Sequence, residues 1–412
     1  MDERFVEITG RGAVSCLGVT VPELTRAVLA GNSGIVDVSE LLTGQKFRFG
    51  APVRGFDAGA HFDARARTTL DRFAQFGVVA SREAWLEAGL EKTNFDASRV
   101  GVVMGSAAPG SDILNDAFTR ILRGNGRPLP TTIPMAMGNA TASRIASEIG
   151  AKGPVFGITA ACASAANAII IGHQLIRSGL IDVAVVGGAD SSFADGFLRG
   201  WDELRVVSSD TCRPFSVGRR GLIIGEGAGV FVLERAGRAH RRGAAIHGRL
   251  LGGGMTCDEG ELLNPDPSGM AAAMRAAMAD AGVEAADVDY VNAHGTGTIA
   301  NDAAEARALR EIFASRPEPV AVSSTKSQIG HAMGASGALE GIVTIAALAA
   351  GVVPPTLNFL GVDPACGLEP TPNAPCQRRM NVALSNSFAF GGLNATLAFS
   401  RAVAWASEAD KD

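Results

Sequence analysis

At 412 residues, with 47% hydrophobic and 19% charged residues, the chain has the make-up of a compact globule long enough for two or three domain-sized units. Its formal charge of −5 comes from 37 basic and 42 acidic residues without a Lys/Arg run or tail, which excludes nucleic acid as a main partner. The opening MDERFVEITGRG has no apolar signal core, and GIVTIAALAAGVVPP at 341–355 is too short for a bilayer and ends in prolines, so a cytoplasmic location is expected.

Short β-branched runs ending in small residues alternate with helical patterns. In chain order the spacing predicts a helix over 78–89, a strand over 100–107, helices over 140–149 and 164–178, and strands over 181–191 and 228–234. A helix over 268–281, a strand over 288–298 and a helix over 303–314 follow, then a strand over 319–327, a helix over 337–350 and a strand over 382–392. This alternation predicts an α/β fold of layered sheets and helices. The helix over 164–178 is apolar nearly all round, so both of its sides are expected to be packed. RAGRAHRRGA at 235–244 reads as a surface crossing between two halves or, more simply, as a solvated helix end. No short-period repeat is visible, and SEADKD at the C-terminus looks frayed.

The six cysteines, at 16, 162, 212, 257, 366 and 376, form no C-x-x-C pair, so free thiols are expected, with neither disulfides nor a metal site. No phosphate-binding glycine loop is present, and GEGAG at 225–229 precedes a strand instead of a helix, so no cofactor is expected. Cys162, in ITAACASAANAIII, begins a helix, where the thiolate is favoured. Its bland alternative is an inert buried thiol. His294 in AHGTGT, Lys326 and His331 in STKSQIGHAMGASGA, and Phe388 and Phe390 in SNSFAFGG all fall at predicted strand ends. α/β folds gather their active sites there. A Cys–His hydrolase needs one base and a group to orient it. Two histidines without a neighbouring carboxylate fit better as hydrogen-bond donors to an oxyanion. One thiol and two such donors suit carbon–carbon bond formation between thioesters.

With TAACASA, these motifs resemble the Cys, His, Lys-His and Phe-gate motifs of the β-ketoacyl-acyl carrier protein synthases, in the order and spacing of the elongating synthase II type. The likeness runs from VEITGRGAVSCLG near residue 6 to NATLAFS at 394–400. It implies a five-layered αβαβα thiolase fold of two similar halves, residues 1–240 carrying the cysteine and 241–412 both histidines. It further implies a cofactor-free decarboxylating Claisen condensation on acyl carrier protein, in a homodimer or as the catalytic half of a ketosynthase/chain-length-factor heterodimer. By position, Cys162 would accept the acyl group, and His294 and His331 would bind the malonyl thioester carbonyl. Lys326 would tune the field around His331 and pair with Glu340. The backbone N–H groups of Cys162 and Phe390 would form the oxyanion hole, with Phe388 in the gate, and Thr296 and Thr298 would bond the pantetheine arm.

The chain departs from the family pattern at several points. Ala389 stands where the gate has glycine, which would restrict its swing, and Leu393 replaces a threonine. Ala108 replaces a bulky isoleucine near the acyl pocket and would widen it, unless a neighbour such as Ile133 or Met137 compensates. Arg65, Arg67, Arg127 and Arg205 are candidates for docking an acidic carrier protein. Thr68 and Thr69, at typically basic positions, point to a specialised nodulation-like or polyene/polyketide branch. Asp302 and Glu305 read first as helix N-terminal acids and second as ligands for a structural cation. A thioester hydrolase using the same thiol remains a rival. A non-catalytic chain-length partner does not fit, because it would lack the nucleophile.

Overall fold

The computed structural model describes residues 5–402 apart from positions 94 and 125; SEADKD lies outside the described residues. Its frame is a ten-stranded sheet. The strands are β1 (Val6–Val14), β2 (Val100–Gly105), β3 (Val155–Ile158), β4 (Val183–Asp190), β5 (Gly227–Arg235), β6 (Gly248–Cys257), β7 (Tyr290–Asn292), β8 (Ala321–Ser323), β9 (Val382–Ala389) and β10 (Leu393–Ser400). Their order across the sheet is β8-β7-β9-β10-β6-β1-β5-β4-β2-β3. In the first half, β1 and β4 flank β5 antiparallel, and β4, β2 and β3 run parallel. In the second, β6 and β9 flank β10 antiparallel, and β9, β7 and β8 run parallel. Each strand of the first half thus has its counterpart five strands later. A short antiparallel ladder, Val6 to Leu250 through Ile8 to Gly248, joins the halves.

The helices repeat the same plan. Among the described residues, those of ten residues or more are α1 (Arg72–Glu87), α2 (Ser111–Leu122), α3 (Ala140–Ile149), α4 (Ser164–Arg177), α5 (Asp195–Leu204), α6 (Pro267–Ala281), α7 (Ile299–Phe313) and α8 (Ser336–Ala350). α1 and α3 cover the outer face of the first half-sheet, and α6 and α7 that of the second. α4 and α8 pack together between the half-sheets, each touching both, which completes the five layers. That double contact is why α4 is apolar on nearly every side. The same reason holds for Met333–Ala350, an apolar stretch that is 83% buried in this central layer.

The predicted elements occur; beyond them the described residues add four strands of the large sheet, the helices α2 and α5, the nine-residue helix Val21–Leu29 and shorter elements. β6 contains Gly252, Gly253 and Gly254, which carry no strand signal. Their absent side chains let α4 and α6 approach: a Cβ on Gly253 would lie 2.5 Å from Ile170, and one on Gly254 2.2 Å from the Ala273 carbonyl. α2, which the periodic reading did not include, turns Phe118, Ile121 and Leu122 outward. The basic run after β5 is more than a solvated helix end, since Arg238 and Arg242 both pair with the fully buried Glu234.

Candidate active site

Four segments converge just past the C-terminal ends of the parallel strands β3, β7, β8 and β9. After β3 the chain turns through Ala161, whose φ of +46° is a left-handed conformation costing an alanine roughly 1–2 kcal/mol. Ser164 clamps this turn, accepting from the Ala160 N–H at 2.8 Å and donating to the Ala161 carbonyl at 2.6 Å. The turn brings Cys162 Sγ to 3.1 Å from His331 Nε2. On the other side of that ring, Nδ1 accepts from the Met333 N–H at 3.2 Å and meets Ser336 Oγ at 2.9 Å. A nitrogen accepting from a backbone N–H carries no proton, so in the neutral ring the proton sits on Nε2, facing the thiol.

His294 follows β7. Its ring centroid lies 5.3 Å from that of His331 and 6.2 Å from that of Phe388. Lys326 Nζ lies 3.2 Å from His294 Nδ1 and is in contact with Glu340 Oε1. An ammonium can only donate, so His294 is also left with its proton on Nε2. The direct neighbour of Lys326 is therefore His294, while its charge still acts on both rings. Burial, followed by the Lys326 charge, holds both histidines well below the usual imidazole range. Both are neutral donors at pH 7.

Cys162 differs from the sequence expectation. Burial pushes its thiol up to about 12, with Lys326 pulling against it. The start of α4 therefore does not make the resting group a thiolate, because desolvation outweighs a terminus worth up to about 2 kcal/mol.

Acids ignored or read otherwise in the sequence hold these loops in place. Glu305, on the first turns of α7, reaches back to accept the N–H groups of His294 at 2.8 Å and Gly295 at 2.7 Å. Asp302 accepts from Gly297 at 3.1 Å and Phe215 at 2.8 Å. Both are helix-start acids that bond the histidine loop, Asp302 tying Phe215 to it as well. Asp190, ending β4, ties the Ala107 and Ala108 amides to that of Gly334 beside His331. An acid closing a wholly apolar strand was the available signal for it.

Cys162, His294, His331, Thr296, Thr298 and Phe390 share the wall of one cavity of about 270 Å³, which Phe388 also lines. The two threonine hydroxyls are 2.9 Å apart. Arg205 stands at the same cavity with Arg220, whereas Arg65, Arg67 and Arg127 are exposed elsewhere. Ala108 does not line it. Its loop packs instead on the short helix Thr132–Ala136, where a Cβ on Gly110 would collide with Ala136. Ala389 pairs with Leu393 as the last rung of the β9–β10 hairpin, and the left-handed positions of the tip fall to Gly391 and Gly392. In this conformation nothing requires glycine at 389.

Ligand atoms of Cys162, His294 and His331 lie within 4.8 Å of one another, a spacing that could suit a soft metal ion. Any such ion would have to displace both Nε2 protons beside the Lys326 charge. The trio is better arranged to donate hydrogen bonds.

A sequence model of the β-ketoacyl synthase N-terminal domain matches residues 3–239, and one of the C-terminal domain matches residues 247–360. Nodulation protein E of Rhizobium sp. (strain N33) is 42% identical over 404 residues, covering 97% of this chain and 99% of the relative. The 3-oxoacyl-[acyl-carrier-protein] synthase 2 of Synechocystis sp. is 36% identical over 411 residues, with the same coverage. Among solved structures, the ishigamide ketosynthase/chain length factor superposes with a TM-score of 0.92 at 32% identity, over 97% of this chain and 99% of that one.

Proposed function

The chain belongs to the β-ketoacyl synthase family, and from that premise we propose the following roles for its residues. The reaction is a decarboxylating condensation that extends an acyl chain on acyl carrier protein by two carbons. Cys162 Sγ attacks the carrier thioester; its proton leaves on the pantetheine sulfur, which suits a resting group that is a thiol and not a thiolate. The N–H groups of Cys162 and Phe390 hold the oxyanion of that transfer, and Thr296 and Thr298 hold the pantetheine arm. Malonyl-carrier protein then loses CO₂, and its enolate oxygen lies between the Nε2–H groups of His294 and His331. The enolate carbon attacks the acyl carbonyl, and Cys162 leaves as a thiolate that regains a proton. Lys326 and Glu340 keep the His294 proton on Nε2.

The observation that carries this reading is the pair of neutral imidazoles, each with Nδ1 occupied and its proton left on Nε2, that of His331 directed at the Cys162 thiol. A thioester hydrolase needs one of them as a base. That base would have to take a proton from the water that frees the acyl group, and a protonated Nε2 cannot. Intact-protein mass spectrometry tests the assignment: loading from acyl-carrier protein should place one acyl group on Cys162, and malonyl-carrier protein should then give a carrier product two carbons longer. Release of free acid without extension would overturn it.

The likeness to nodulation protein E supports placing the chain in the specialised, nodulation-like branch, and the two family models and the repeated strand order support residues 1–240 and 241–412 as its two halves; we place it in the cytoplasm. We further assign a subunit interface. Phe118, Ile121, Leu122, Ile133 and Met137 are exposed, from 48% to 84%, on α2 and the helix beside it. The neighbouring β3 is an open edge of the sheet. Exposed apolar faces and free edges mark association surfaces. Ala108 sits in the loop just before α2, its carbonyl accepting from Ser111 Oγ at 3.0 Å, so on this assignment an acyl chain would reach it by passing beyond Cys162 toward the partner subunit. Expressed alone, the chain should run as a dimer in size-exclusion light scattering, and Leu122→Glu with Ile133→Glu should give a monomer. A monomeric wild type would point instead to a chain-length-factor partner.

A further inference from the structure

The tip of the β9–β10 hairpin is tethered on either side of Phe390. On one side Ala389 is in register with Leu393. On the other, Gly391 donates to the Leu262 carbonyl at 2.8 Å, and the Gly392 carbonyl accepts from the Asp258 N–H at 2.9 Å. The Phe390 ring itself rests on Trp201 of α5, the centroids 5.9 Å apart and the planes 28° from parallel. Trp201 is a firm seat. It is 9% exposed, stands edge-on to Phe197 at 6.0 Å, and belongs to a small apolar cluster with Leu198, Leu222 and Met333. Met333 is the residue whose N–H fixes the His331 tautomer.

We propose that Trp201 is a positioning residue that sets where the Phe390 ring rests, and through it the width of the approach to Cys162. The inference rests on Cys162 being the nucleophile. Phe390 and Trp201 line the same cavity as Cys162, so displacing either ring changes the passage to the thiol. With Ala389 in the strand and the glycines tied by backbone bonds, rotation of the Phe390 side chain off Trp201 opens the approach at the cost of one aromatic stack.

Alkylation of Cys162 by small iodoacetamide and bulky N-phenylmaleimide, read on the peptide containing it, tests this in the full chain. Both reagents need the same thiolate, so their rate ratio reports access and cancels any change in thiol ionisation. Trp201→Ala should raise the bulky-to-small ratio about three- to tenfold, the range one aromatic pair supports, and Trp201→Phe should restore it to within about twofold of wild type. Phe390→Leu removes the same stack from the exposed side and should match Trp201→Ala, which keeps the test valid if the latter fails to fold. A ratio unchanged in Phe390→Leu, or altered equally by Trp201→Phe and Trp201→Ala, overturns the proposal. Acyl groups that load elsewhere than Cys162 overturn the nucleophile assignment. Loading at Cys162 with a ratio indifferent to Trp201 overturns the positioning role of Trp201 alone.

Discussion

Replacing Cys162 by alanine is expected to lower chain extension on the order of 10³-fold or more, because it removes the atom that carries the acyl group between half-reactions. The fold should survive. Cys162 is 7% exposed among Ala160, Ala161 and Ala163, and loss of one sulfur from such a site costs about 1 kcal/mol. What should persist is decarboxylation of malonyl-carrier protein. The donors at His294 and His331 take their tautomers from Lys326 and Met333, and neither contact involves the thiol. Acyl loading and malonyl decarboxylation, measured side by side by mass spectrometry, separate the two steps. Loss of both with a native melting profile would mean that the thiol takes part in decarboxylation, and the division of labour between Cys162 and the two histidines would fall.

Removing Lys326 or Glu340 is expected to give the largest loss of stability of any single change at the site. Both are fully buried and in contact. Breaking such a pair from one side costs about 3–5 kcal/mol where the group left behind stays charged. The two sides differ, however. Burial pushes Glu340 up to about 7 even against the Lys326 ammonium, so without the lysine the carboxyl remains protonated to higher pH. The sign follows by linkage. A folded-state value above the unfolded one means stability is fully present at low pH and is lost as the pH rises. Wild type and Lys326→Met lose it in parallel up to about pH 7. Above that, the variant alone continues to lose it, at up to about 1.4 kcal/mol per pH unit. Urea unfolding at pH 6 and pH 8 checks the divergence.

The same lysine helps keep both histidines neutral, so the acid limb of kcat/KM for condensation should lie below pH 6.5 in wild type. In Lys326→Met it should move up toward the free imidazole value. An apolar pair, Lys326→Met with Glu340→Leu, separates the effects. It should recover much of the stability, as buried pairs replaced by hydrophobes do, yet leave the acid limb displaced. Recovery of both would reduce Lys326 to a structural role.

Much of the site was legible because its chemistry sits in short motifs at strand ends. A thiol among alanines and two histidines in glycine-flanked loops announce themselves wherever the strands lie. The partners of those residues were not legible. Lys326 lies five residues from His331 in sequence, yet bonds His294, 32 residues away, because the parallel pairing of β7 and β8 sets their loops side by side. Glu305 carries the letters of a helix-start acid, and only the return of α7 against its own preceding loop gives it the His294 and Gly295 amides.

The halves make the same point at the level of the fold. No repeat shows in the letters, yet strand order and direction recur without exception across the ten strands. Topology depends on backbone pairing and on which face is apolar, and many sequences satisfy both. The sequence by itself determined the α/β class, most of the residues that meet around the cavity, and the family. Tertiary structure alone decided that the Cys162 thiol rests neutral, that both imidazoles present Nε2–H, that Ala108 lies outside the cavity, and that Phe390 has Trp201 as its seat. Each of those depends on burial or on a contact between distant segments, and the free energy of a charge or a proton is set by what surrounds it in space.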